Sequence, residues 1–130
     1  MKNITRILFA LALLIPSLAL ANIGQVTGLS STAATIVIPG SRCTTIILQN
    51  NGSSTIRYTI DGGSTYKDPN TGKAGTDPTT TTGAELANGQ QVIITIVPGN
   101  LNLQIRAIMV SGSTTLDIDT NDTGSTFPTS

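Results

Sequence analysis

The residues with the most chemistry in their spacing lie near the C-terminal end, in "DIDTNDTG" (Asp117 to Gly124). Asp117, Asp119 and Asn121 occupy the first, third and fifth places of a calcium-loop pattern, where oxygen ligands alternate around a hard cation. The pattern then fails. Its sixth place, which needs a glycine for the sharp turn, is Asp122, and its twelfth, which needs a bidentate glutamate, is Pro128. No helical period flanks it, so the stretch reads as a polar strand end running into a tail. Asp117 and Asp119 also fall on one face of a strand, about 6–7 Å apart by strand rise, a spacing a carboxylate-pair hydrolase could use. Such an enzyme also needs sugar-stacking aromatics, and the chain offers only Phe9, Tyr58, Tyr66 and Phe127.

Other chemistries are poorly supplied. There is no histidine to take a proton, and the single thiol, Cys43, has no evident activating partner. Cys43 reads as a small buried side chain at the start of a strand, the alternative being an intermolecular disulfide, because one cysteine cannot close an internal bridge. "YTIDGGSTY" (Tyr58 to Tyr66) resembles a phosphate cradle only in its paired glycines. No helix pattern follows to converge amides on an anion. It reads as a strand ending in a hairpin tip at Asp61-Gly62-Gly63-Ser64, with Thr65 and Tyr66 starting the return. No enzyme, cofactor or metal site is expected. Asn51-Gly52-Ser53 and Asn121-Asp122-Thr123 fit the N-glycosylation pattern, which arises readily by chance in so Asn- and Thr-rich a chain.

The elements that position these residues are strands. Period two recurs. In "LNLQIRAI", Leu101, Leu103, Ile105 and Ala107 oppose Asn102, Gln104 and Arg106; in "IRYTID", Ile56, Tyr58 and Ile60 oppose Arg57 and Thr59; in "TTLDID", Leu116 and Ile118 oppose Thr115 and Asp117. "TTIILQN" (Thr44 to Asn50) and "QVIITIV" (Gln91 to Val97) are apolar on both faces, which suits central strands or strands covered by another molecule. "ATIVIP" (Ala34 to Pro39) and the weaker "IGQVTGL" (Ile23 to Leu29) complete about seven strands. Turn clusters at Asn50-Asn51-Gly52, Asp61-Gly62-Gly63, Pro98-Gly99-Asn100 and Ser111-Gly112-Ser113 separate them. The fold class predicted is an all-β antiparallel sandwich, immunoglobulin-like or jelly-roll-like. The segment from Lys67 to Gly83 is too long and polar for a tight turn, and its Thr79 to Thr82 run suits a solvated loop edge, with O-glycosylation the alternative.

The N-terminal "MKNITRILFALALLIPSLALA" has a basic start at Lys2 and Arg6, an apolar run from Ile7 to Leu20, and Ala19-Leu20-Ala21 at its end. That order predicts a secretory signal peptide over residues 1–21, cleaved after Ala21. The apolar run of about 14 residues, interrupted by Pro16, falls short of a bilayer span, so no stable membrane span is expected after cleavage. What remains is one domain by length. Its five cations, Arg42, Arg57, Lys67, Lys73 and Arg106, are scattered, which argues against a nucleic-acid partner. With 11% charged residues, 3% aromatics and an abundance of Thr, Ser, Asn and Gly, the composition suits an exported assembling protein.

The expected organisation is thus a leader (1–21), an N-terminal extension or donor strand (22–39), a sandwich (40–119) and a polar C-terminal tail (120–130). A strand donated to a neighbour's open edge would stabilise both partners through backbone hydrogen bonds and alternate apolar side chains. Ala34, Ile36 and Ile38 alternate as such a strand would, and Ile23, Val26 and Leu29 are a looser alternative. Equally, Ala34 to Ile38 pairs within its own sheet. A leader, a short extension and about seven strands resemble the β-sandwich subunits of bacterial surface filaments, the chaperone–usher-type pilins in particular. The paired cysteines of many such pilins are missing here. The resemblance implies an extracellular fimbrium-like homopolymer built by strand complementation, with a periplasmic chaperone or export machinery as a further partner. The rhythm of Asn51-Gly52, Asp61-Gly62-Gly63, Thr82-Gly83 and Leu86 is similar to that of small β-sandwich proteins of phage virions, against which the leader counts. A secreted carbohydrate-binding module is the third alternative, disfavoured by the few aromatics.

Overall fold

The computed structural model describes residues 22–62, 71–97, 103–112 and 114–128. The expected leader (1–21) and the return strand at Thr65 and Tyr66 lie outside them. Among the described residues eight strands form: β1 (Asn22–Val26), β2 (Ala34–Val37), β3 (Thr45–Asn50), β4 (Ile56–Thr59), β5 (Ala84–Leu86), β6 (Gln91–Thr95), β7 (Ile105–Met109) and β8 (Leu116–Thr120). They make two four-stranded antiparallel sheets, β1-β8-β3-β6 and β2-β7-β4-β5. In four of the pairings, β1–β8, β2–β7, β3–β6 and β4–β5, the chain folds back on itself as one long double ribbon. Wrapped over, that ribbon is a jelly roll, one of the two sandwich types the alternating strands predicted.

Alternation drives the packing. In β3 and β8 every second residue is buried, placing Ile46, Leu48, Leu116 and Ile118 between the sheets. Val26, Ile36, Val37, Ile56, Tyr58, Leu86, Ile94, Ile105 and Ala107 meet them from the other strands. Such β-branched side chains fit a half-buried pleated surface, and their removal from water is the main force holding the sheets together. At one end Asn50, fully buried, ties the sheets. Its amide donates to Ser54 O (2.7 Å) and to Leu86 O (2.9 Å), and its Oδ1 accepts from Gly52 N (3.1 Å).

Several expectations change. Residues 22–39 are not an extension: β1 pairs with β8 and β2 with β7, so they supply two of the eight strands. The alternation expected of Ala34, Ile36 and Ile38 is broken by a β-bulge between Thr35 and Val37, which buries Ile36 and Val37 together. Ile60 lies past the end of β4 and is exposed. Both edges of β4 are taken, by β5 and β7, and Gly63 and Ser64 of the expected hairpin tip lie outside the described residues. The return strand is the unforeseen β5, more than twenty residues on. Gly62 still adopts the positive φ (79°) expected of a turn glycine.

Residues 121–128 are a clasp rather than a tail. Asn121 Oδ1 accepts from Thr44 N and Thr45 N, and its amide donates to Thr44 Oγ1 (2.7 Å). The Asp122 carboxylate accepts from Arg42 N (2.8 Å) and Gly124 N (3.0 Å). These backbone amides hold Asp122 below the usual carboxylate range, that of Gly124 foremost. Thr126 then bridges Ile38. The Phe127 ring lies over Gly24, where an added Cβ would fall 2.5 Å from Cδ2, so β1 needs a glycine there.

Candidate functional site

A sheet edge is a row of unpaired backbone donors and acceptors, and proteins blunt such rows with charge, proline, bulges or cover. The two edges of the β2-β7-β4-β5 sheet are blunted. β2 carries the bulge, is followed by Pro39, and has Thr126 bridged to Ile38 just beyond it. β5 is three residues long and bears Glu85, whose carboxylate accepts from Arg57 Nη2 at 2.7 Å. The two edges of the other sheet are β1 and β6, and neither "NIGQV" nor "QVIIT" contains a charge or a proline.

The outer faces differ in the same sense. Over the β2-β7-β4-β5 sheet the loop before β5 is pinned by two arginines. Arg106 holds Asp77 through Nε (2.8 Å) and Nη2 (3.3 Å), and donates to Thr35 Oγ1 and Ala33 O. Arg57 reaches Thr80 O and Gly83 O. Pro78 of that loop is buried, as is Ile108, which the pleat of β7 puts on this outer face beside Arg106. Thr79 to Thr82 remain exposed. The outer face of the other sheet carries a row running across all four strands: Ile23, Asp119, Ile47 and Ile93 are successive register partners. Ile23 and Ile93, at its two ends, are 74% and 64% exposed. The next row, Gln25, Asp117, Gln49 and Gln91, is wholly polar.

Beside β6 the sandwich opens into a groove of about 580 Å³, lined on one side by Tyr58, Thr59 and Ala84 with Ile60 and Asp61 just past β4, and on the other by Val92 to Thr95 of β6. Tyr58 is buried there, which pushes its phenol above the usual range. Val97, just past β6, is 76% exposed. Among the described residues "QVIITIV", apolar on both faces, is thus an edge strand and "TTIILQN" a central one, β3.

The residues singled out for chemistry are placed as follows. Asp117 and Asp119 do point outward together from β8, but the two oxygens of Asp117 accept from Gln25 Nε2 and Asn51 Nδ2, each at 2.6 Å. Asn121 and Asp122 spend their oxygens on backbone amides, as described. Among the described residues no three His, Cys, Asp or Glu side chains are grouped to hold a metal ion. Cys43 is a free, fully buried thiol just before β3, as expected of a small buried side chain at a strand start. Of the donor-strand candidates, Ile23 stands on the outer face of β1, while Val26 and Leu29 are buried. Ala34 and Ile36 belong to β2, Ile36 fully buried, and Ile38 pairs with Thr126. Ile93 and Ile47 were missed as a row with Ile23, because a row exists only once strand order and register are known.

No family model matches the chain, and no curated protein matches it in sequence. Solved structures that share part of its shape include the following three. Peruvianin-I, a cysteine peptidase from Thevetia peruviana latex, aligns at 14% identity and a TM-score of 0.48 over 83% of this chain, which spans 55% of that structure. A de novo designed double-stranded β-helix aligns at 13% identity and 0.43, covering 76% of this chain and 95% of the design. A structure described as Bacillus endospore appendages forming disulfide-linked pili aligns at 12% and 0.42, covering 77% and 81%. Likenesses at this level carry neither a family nor an activity to the chain.

Proposed function

We propose that the protein is a structural subunit of an extracellular filament or surface polymer, joined to copies of itself by strand addition between neighbours. The observation that carries this reading is the unblunted edge β6. It is a β-branched, uncharged strand with Ile93, and Val97 just past its end, in solvent and a mostly apolar groove beside it. Left unpaired, such an edge recruits other strands without selection. Retained in an assembling subunit, it is the acceptor. The signal-like residues 1–21 support an extracellular location, with export machinery or a periplasmic chaperone shielding the edge before assembly.

Electron microscopy of the purified protein, with mass spectrometry of any fibres, tests the reading. Regular fibres made of this chain are expected. A protein that stays monomeric at every concentration, with β6 intact, would refute it. Ile93→Lys places a charge on the edge and should raise the concentration needed for polymerisation by roughly tenfold or more, while leaving the sandwich folded.

A further inference from the structure

Resting on the filament reading, we propose that the polymer grows by edge-to-edge joining of one sheet alone. The β6 edge of each copy pairs antiparallel with the β1 edge of the next, in the register Ile93 to Ile23 and Gln91 to Gln25.

Three features agree in this register. The first is direction. Neighbouring strands in β1-β8-β3-β6 are all antiparallel, so β1 and β6 of one copy run oppositely. A second copy placed beside the first in the same orientation therefore continues the alternation without a break.

The second is hydrogen-bond parity. Successive residues of a strand aim their backbone groups at opposite sides. Asn121 N bonds Thr45 O and Asn51 N bonds Thr115 O, so the odd-numbered residues of β8 and β3 face each other. The even residues of β8 then face β1, and the backbone groups of Ile23 and Gln25 point out to the free edge. On the other side Ile96 N bonds Thr44 O and Asn50 N bonds Gln90 O, so even residues of β6 face β3. Gln91, Ile93 and Thr95 point outward. Among the described residues neither edge has a second strand. Ile93 opposite Ile23, and Gln91 opposite Gln25, are thus hydrogen-bonded pairs with every group directed at its partner.

The third is the side-chain face. Ile23 and Ile93 terminate the same row of the outer face, and Gln25 and Gln91 the next row. The join sets the two most exposed strand isoleucines side by side and glutamine against glutamine, cross-strand pairs that stabilise a sheet. A slip of two residues keeps the parity but sets Ile23 against Thr95 and Gln25 against Ile93. The contact is heterologous, so each added copy leaves one β1 and one β6 free.

The test uses full-length chain carrying Ile23→Cys and Ile93→Cys together, and each substitution alone, treated after assembly with a short bis-maleimide. Hydrogen-bonded partners have Cα atoms about 5.5 Å apart, within reach of the reagent. The native Cys43 is buried, and unsubstituted protein treated with the reagent in parallel controls for it. The double variant should give a ladder of covalent multimers, with each single variant giving at least about tenfold less covalent dimer, since neither thiol meets its own copy. Fibres that form without a ladder, or Ile93→Cys alone cross-linking as well as the double variant, would overturn the proposed join while leaving the filament reading standing. Absence of fibres from the unsubstituted protein would remove both.

Discussion

Asn50 offers the most direct test of how the two sheets are held in place. Its amide is fully buried and makes three hydrogen bonds, to Ser54 O, Leu86 O and Gly52 N, the second of which crosses from one sheet to the other. In Asn50→Ala all three are lost, and two carbonyls and an amide are left where water reaches them poorly. At about 1 kcal/mol net per bond, the loss comes to roughly 3 kcal/mol, rising toward 5 if the stranded groups stay dry. For a domain of this size that corresponds to a fall in Tm of roughly 12–24 °C. Urea unfolding followed by far-UV circular dichroism measures it, the chain having no tryptophan. Asn50→Asp sharpens the case. It keeps an acceptor for Gly52 N but turns the donating nitrogen into an oxygen facing two carbonyls. Asn50→Asp should be less stable than Asn50→Ala at neutral pH and should recover in acid. A loss below about 1 kcal/mol for alanine, with aspartate no worse, would refute the role given to Asn50.

Two further outcomes follow from the clasp. Phe127→Ala removes the ring that covers Gly24 and should cost about 2–3 kcal/mol, less than a fully buried phenylalanine because this one is half-buried; denaturant midpoints check it. Asp122 has a folded-state pKa depressed by the amides of Gly124 and Arg42, so its stabilisation is fully present above the unfolded-state pKa. It is lost as pH falls through the ordinary carboxylate range toward the depressed value. The stability difference between wild type and Asp122→Asn should therefore be greatest near neutrality and shrink on acidification, and no change in that difference between pH 7 and pH 2 would contradict the clasp.

The strands were legible in the sequence wherever one face packs and the other is wet. Period two located β4, β7 and β8, and the doubly apolar "TTIILQN" is the central β3 it suggested. β5 was not legible, because three residues, "AEL", carry no period. The bulge in β2 was hidden for a related reason: an extra residue shifts the face without changing the composition. Ile108 fell on the polar side of its strand by alternation and is buried there because a loop held by Arg57 and Arg106 covers it. No local pattern reports a cover made of distant chain. The clasp was misread as a tail for the same reason, since Asn121 and Asp122 bond residues some eighty positions earlier. The candidate assembly edge was half legible. "QVIITIV" announced that something must cover it, but only the strand order reveals that nothing in the described chain does.

The proposed join also fixes the geometry of the fibre it would build. Each copy contributes four strands to a continuous sheet, and strands lie about 4.8 Å apart, so the rise per subunit along the growth direction is about 19 Å. Adjacent strands are rotated by roughly 20–25°, so four of them turn each subunit by about 80–100° relative to the last. The sheet therefore coils into a helix with roughly four subunits per turn rather than extending as a flat ribbon. The second sheet travels with it on one face, its blunted edges β5 and β2 brought near each other at every junction but without a free ladder to pair. Helical reconstruction from electron micrographs measures both quantities. A subunit rise near 19 Å with strands across the fibre axis supports the join; a rise far from four strand spacings, or strands along the axis, would refute it. Joining through the β2 edge would need the Ile38–Thr126 bridge to open first, whereas among the described residues neither β1 nor β6 has a second strand or a backbone bridge on its free edge.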